Sequence, residues 1–293
     1  MSAVPTSASV GVPPRNMVFD HEGAEKRYPF YDGNALASLM FVVFSGIFPP
    51  GERFFVDSVR AFRDRIEDPV LKAQVSGFIG QEALHGREHD RLNQAFAARG
   101  IAVEVPERYV RWSLRQLKRL PRRQQLACTL FMEHFTAHLA ERWLKDERFK
   151  ATSEPEMMKL WLWHALEELE HKAVAYDVFE AVGGTWGERA AAGALVVGVL
   201  LPGVLASWGV LLAKEGQAGD LRGNLRGLGH LFGRQGFLTG VIRRMPDFFG
   251  RRFHPRRHDT AALEAEWREI LFGAEGRLNA EFRNREALAA AAA

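Results

Sequence analysis

The 293-residue sequence contains a single cysteine, Cys128, which excludes an intramolecular disulfide and suits a reducing compartment. It also lacks a charge imbalance. The 39 Lys and Arg against 36 Asp and Glu leave a net +3, too little to mark a nucleic-acid binder by bulk electrostatics. Strand-like alternation never persists beyond a few residues, which excludes a sheet as the organising element. The first sixteen residues, rich in Ser, Ala, Val and Pro, have neither the basic start nor the continuous apolar run of a signal peptide. Residues 1–27 are expected to be a disordered tail, Ala289 to Ala293 a frayed end, and the chain cytoplasmic.

What is present is helical periodicity over a chain whose side chains are 47% apolar, enough for a substantial core. The expected fold class is all-α. A first helix runs from about Asn34 to Phe48; Pro49-Pro50-Gly51 interrupts it, and Pro50 opens a new helix to Ile66. Asp68 and Pro69 punctuate the start of a helix from about Val70 to Ala98, stopped by Gly100. A mixed segment with Pro106 and Pro121 precedes a helix over about Arg122 to Arg148. Ser153 caps a further helix that ends at Gly183-Gly184, and a last one covers about Thr260 to Leu288.

Ala190 to Ala213 is a run of 24 uncharged residues between Arg189 and Lys214, long enough to cross a hydrocarbon layer roughly 30 Å thick. Pro202 and several glycines weigh against a spanning helix, and a buried helix covering the bundle is the alternative. From Lys214 to His258, ten Lys or Arg face three acids. Leu225, Leu228 and Phe232 there interleave with Arg222, Arg226 and Arg234, a basic amphipathic surface suited either to anionic lipid at the inner membrane or to packing on the preceding helix. The organisation expected is a tail over 1–27, a helical bundle over 28–186, an apolar and then basic region over 187–259, and a C-terminal helix and tail over 260–293.

Two runs carry chemistry. Glu82-Ala83-Leu84-His85 and Glu168-Leu169-Glu170-His171 each place a carboxylate three residues before an imidazole, on one helix face. Two such pairs, plus one Glu from each of two other helices, enclose two metal ions in a bundle. Glu52 and Glu133 supply the other carboxylates. At about 100° per residue, His164, Glu168 and His171 fall within one sector of about 60°. Glu82 and His85 belong to a stripe of Leu71, Val75, Phe78, His89, Leu92 and Phe96; Glu52 sits between Phe48 and Phe55, and Glu133 between Leu130 and Ala137. Four inward carboxylates repel one another and lose hydration at a cost of several kcal/mol each, unless two divalent cations balance them. Carboxylate and neutral imidazole suit iron or manganese, with zinc a further choice.

Neighbouring residues read differently. His89 shares the inward face of its helix and is expected to support the ligands rather than to be one. His134, His138 and Glu141 have metal-like spacing but lie about 100° from Glu133, towards Lys145 and Arg148, and are expected on a solvated face. Glu167 is an alternative to Glu168, and Glu170 points away. Trp161, Trp163, Phe78 and Phe131 are core residues or the walls of a substrate pocket.

The order formed by Glu52, Glu82 with His85, Glu133, and Glu168 with His171 resembles the ferritin-like di-iron carboxylate superfamily. The resemblance implies a ferritin-like four-helix bundle with additional C-terminal helices and two iron ions. His164, in His-x-x-x-Glu-x-x-His, is similar to the seventh ligand of the p-aminobenzoate N-oxygenase group. Phe48-Pro49-Pro50-Gly51-Glu52-Arg53-Phe54-Phe55, Gln81-Glu82-Ala83-Leu84-His85 and Phe253-His254-Pro255 resemble the bacterial family described as predicted metal-dependent hydrolases, over about Tyr28 to Asp259. One departure is Glu52, which follows Pro-Pro-Gly and is expected in a first helical turn. The expected function is an oxygen-activating oxidoreductase: a hydroxylase, N-oxygenase or desaturase. The alternative is a hydrolase that uses a metal-activated water. Expected partners are dioxygen, a small apolar or lipid substrate, a membrane surface and a second copy of the chain.

Overall fold

The computed structural model describes residues 4–21 and 28–283. Among them the chain is helical without a strand, as the periodicity requires.

Helix α1 (Ala35–Arg60) starts where the Asn34 side chain accepts from the Ala37 amide. It does not break at Pro49-Pro50-Gly51 as expected; both prolines lie inside one continuous helix. The reason is a tertiary substitution. Pro49 has no N–H for the carbonyl of Ser45 one turn earlier, and the Asn93 side chain from the next long helix donates to that carbonyl at 2.8 Å instead. Glu52 is consequently mid-helix and buried, not in a first turn.

Helix α2 (Pro69–Ala98) has Asp68 as its cap and closes before Gly100, whose φ of +94° suits glycine. The segment read as mixed contains α3 (Glu104–Leu117). Helix α4 (Arg122–Lys145) stops short of Arg148 because Asp146 turns out to cap the short α5 (Glu147–Thr152). The helix that follows is capped by Glu154 rather than Ser153, and it divides at Lys172-Ala173 into α6 (Pro155–His171) and α7 (Val174–Ala181). A capping box of Thr185 and Glu188 opens α8 (Trp186–Lys214). Then come α9 (Leu221–Phe232), α10 (Phe237–Arg244) and α11 (Ala261–Phe272). The last ends well short of Leu288, at Gly273; the part of that expectation beyond residue 283 lies outside the described residues, as does the frayed end at 289–293.

Helices α1, α2, α6 and α4 form a closed ring, each packed on two of the others. Inside it the apolar residues fall into two clusters. One contains Phe48, Leu92, Ala137 and Trp161; the other contains Phe55, Phe78, Leu130 and Ala175. Glu52 on α1, Glu82 and His85 on α2, and Glu133 on α4 lie between members of the two clusters, and His164, Glu168 and His171 lie between Trp161 of α6 and Ala175 of α7, so these seven form one layer across the bundle.

Residues 4–21 correct the expectation of a disordered tail; the remainder of 1–27 lies outside the described residues. Val12, Met17 and Phe19 are buried. Side chains at Gly77 and Gly80 would collide with Val12 and Pro14, so these two glycines let the N-terminal segment lie directly on α2. Helix α8 packs one face on α1, α3 and α4 while Leu201 and Leu205 on the other are about half exposed.

Candidate metal centre

The ring brings all seven singled-out residues into its polar layer. Glu52, Glu82, His85, Glu133, His164, Glu168 and His171 are each at most 3% exposed. Donor atoms of Glu52, His85 and His164 lie within 4.8 Å of one another, as do those of Glu82, Glu133 and His171, and those of Glu82, His85 and Glu168. Glu168 stands between the two ends, with Oε1 3.0 Å from His164 and 3.6 Å from His171.

Hydrogen bonds behind the imidazoles fix which nitrogen faces inward. The Ser45 carbonyl only accepts, so the Asn93 amide nitrogen faces it, and the Asn93 oxygen accepts the Ser45 hydroxyl proton at 2.7 Å. His89 Nδ1 then donates to Ser45 Oγ at 3.0 Å, which leaves His89 Nε2 to accept from His164 Nδ1 at 2.8 Å. His164 Nε2 is left with a lone pair directed at Glu168 (3.0 Å) and Glu52 (3.8 Å). Lone pairs and carboxylate oxygens at such distances repel unless a cation lies among them.

His171 is set in the same way. Gln81 donates to the Pro13 carbonyl and to Glu170, so its oxygen accepts from His171 Nδ1 at 2.9 Å. His171 Nε2 faces Glu82 at 3.1 Å and Glu133 at 3.6 Å. His85 Nε2 lies 3.0 Å from Glu167, whose other oxygen accepts from Arg15, and His85 Nδ1 turns inward. Glu167 therefore stands behind His85 and does not replace Glu168. Glu170 is turned to Arg15, Gln81 and Arg268.

Nine buried atoms in the layer make no hydrogen bond: both oxygens of Glu52, Glu82 and Glu133, Oε2 of Glu168, Nδ1 of His85 and Nε2 of His171. Buried polar groups are almost always satisfied, so nine converging orphans are the mark of a missing common partner. Burial pushes Glu82 up to about 7, and burial together with neighbouring carboxylates pushes Glu52 and Glu133 upward. Burial lowers His85 and His89, keeping them neutral. It lowers His171 too, but the carboxylates of Glu168, Glu82 and Glu133 outweigh it and raise that imidazole. The layer is a nest of negative charge short of cations.

Aromatic rings seal it. Trp163 packs edge-on against His85, Phe78 against His171, and Phe48 against both His89 and His164. Trp161 and Trp163 are fully buried, and Phe131 packs on Phe248 away from the layer.

His134, His138 and Glu141 correct another expectation: they are buried, not solvated. The segment after α10 covers them; His134 bonds the Arg244 carbonyl, and His258 reaches Glu141 at 2.6 Å. Glu141 also pairs with Lys145, so its charge is met within the protein. Ser45, Asn93 and Arg15 were not singled out from the sequence, and Gln81 entered only as the first residue of the Gln81-Glu82-Ala83-Leu84-His85 motif. Asn93 had a signal, since it continues the His85, His89 step of four along α2.

A ring of helices around a buried His and Glu cluster defines a class: an all-helical protein with a site of metal-binding type. The chain belongs to the family of predicted metal-dependent hydrolases, whose signature matches residues 13–259. No curated protein and no solved structure matches it.

Proposed function

We propose that the protein is a dinuclear metal enzyme of ferritin-like type, that both metals are iron, and that it activates dioxygen for an oxidoreductase reaction. The nine orphaned donor atoms carry this reading, because four carboxylates and three imidazoles match the charge and donor preference of two ferrous ions. Glu52, His85 and His164 would hold one ion, Glu133 and His171 the other, with Glu82 and Glu168 shared. A bound di-iron pair supplies the electrons for dioxygen activation, the chemistry needed for hydroxylation, N-oxygenation or desaturation.

The chain's own residues prepare and protect that chemistry. The Asn93–Ser45–His89 relay and Gln81 take the Nδ1 protons of His164 and His171, so the nitrogen each ring turns inward is Nε2. Burial pulls Glu167 up to about 8 against the pull of Arg15, and a cation on His85 would draw it back to the carboxylate that holds the His85 proton outward. Phe48, Phe78 and Trp163 exclude water from the imidazoles.

Anaerobic loading with ferrous iron followed by exposure to air tests the proposal: a transient visible absorption and two irons per chain are expected. A colourless reaction at full iron occupancy would remove the oxygenase reading. The second reading, a hydrolase with a metal-activated water, is favoured by the family description and by Glu82 lining a solvent-filled cleft. Turnover with zinc alone under argon would establish it. We also propose that the free face of α8, with α9, rests on anionic lipid.

A further inference from the structure

A cleft of about 880 Å³ opens between α1, α2 and α3, and Glu82 of the polar layer lies in its floor. Glu82 lines it while remaining 1% exposed, so the cleft reaches the edge of the buried layer. The floor is thin beside it. Gly86 also lines the cleft, and a Cβ there would stand 3.0 Å from Glu52 Oε2, so only a glycine backbone separates the cleft from that carboxylate.

The walls are strongly basic. Seven Lys or Arg side chains line the cleft against Asp57, Asp90 and Glu82. Five of the seven are already matched. Arg53 pairs with Asp90 and Lys118 with Asp57, Arg111 pairs with Glu107, and Arg87 and Arg91 share the buried Glu88. Arg60 and Arg115 line the same cleft and have no hydrogen bond or ion pair with any described residue. Two unmatched guanidiniums in a concave basic site are donors for a carboxylate or a phosphate, which they bind by charge-assisted hydrogen bonds.

We propose that this cleft is the substrate mouth of the metal centre, and that the substrate carries an anionic group, carboxylate or phosphate monoester, which Arg60 and Arg115 hold. The assignment rests on the dinuclear reading above and adds the substrate class to it. An anion anchored on the walls leaves the rest of the molecule over the Gly86 floor, beside Glu52 and Glu82. Concavity favours a small molecule over an acidic protein, which would meet the rim and not the floor.

The test uses the full-length protein loaded with cobalt(II), whose visible spectrum reports on the metals' surroundings. Inorganic phosphate, octanoate and 1-octanol are titrated separately. Saturable spectral change is expected with phosphate or octanoate and not with 1-octanol; stronger binding of octanoate would assign an amphiphile, and equal binding a free anion. The exposed double variant Arg60→Gln/Arg115→Gln should weaken anion binding at least about tenfold, the loss of charge-assisted bonds, with cobalt content unchanged. Arg222→Gln/Arg226→Gln removes the same charge elsewhere and should leave binding intact. Anion binding unaffected by the first pair, or equal for 1-octanol, overturns the inference. Cobalt failing to bind at two per chain instead overturns the dinuclear reading.

Discussion

Pro49 acts on His164 through Asn93, Ser45 and His89, so the first prediction concerns the middle of that relay. His89→Ala removes the acceptor that holds the proton on the outer nitrogen of His164. Metal affinity should fall by about 10–100-fold, the usual cost of losing a group that orients a ligand. Ser45→Ala should act in the same direction and more weakly. Competition with a coloured chelator measures both; affinities equal to wild type would show that the relay orients nothing. Cys128 gives a second residue-scale prediction. Burial pushes its thiol up to about 12, so at pH 8 it is protonated and enclosed. A disulfide reagent should modify it only as fast as the protein unfolds, and rapid labelling of folded protein would contradict the packing.

Among the elements, the N-terminal segment is a strap. Arg15 bonds Glu167 at 2.9 Å and Glu170 at 2.8 Å, and both carboxylates are fully buried. Arg15→Met takes the cation away from Glu167, which keeps His85, and Glu170 keeps Arg268 and Gln81, so the loss should be about 3 kcal/mol, the lower end for a broken buried pair. Thermal unfolding should shift down by roughly 5 °C or more; an unshifted transition would mean the strap is loose in solution. The segment after α10 is tied down by Glu141. Burial raises this carboxyl, but hydrogen bonds from His138, His258 and Lys145 outweigh burial and hold it well below the usual carboxylate range. With the folded value depressed, the tie is fully present above that range and is lost as pH falls below it. Amide exchange over residues 253–258 should therefore rise below about pH 4 in the wild type and be already high at pH 7 in Glu141→Gln. The stripe on α2 was legible because Glu82, His85 and His89 fall in step with Phe78, Leu92 and Phe96, a local regularity. The continuity of α1 was not, since the donor that replaces the missing N–H of Pro49 arrives from another helix. The burial of His138 was hidden for the same reason: its cover comes from far along the chain.

For the whole molecule, the question is what meets the uncovered side of α8. Among the described residues two helices are long and apolar enough to cross a membrane; α1 is mostly buried as part of the ring, whereas α8 is mostly open. One face of α8 is held by the bundle, so the other can rest on a bilayer without the helix crossing it. Leu195, Leu201 and Leu205 on that face are exposed, Trp208 of α8 lies tilted against Phe232 of α9, and Leu221 and Leu225 of α9 are exposed beyond it. Arg222 and Arg226 interleave with these leucines, the charge that the proposed contact with anionic headgroups requires. The protein should co-sediment with vesicles containing phosphatidylglycerol, less so as salt rises, and not with phosphatidylcholine alone. Leu201→Asp/Leu205→Asp should abolish sedimentation with the anionic vesicles, and Arg222→Gln/Arg226→Gln should weaken it and flatten its dependence on salt. Protein left in the supernatant with anionic vesicles at low salt would mean that the apolar face of α8 serves something other than lipid.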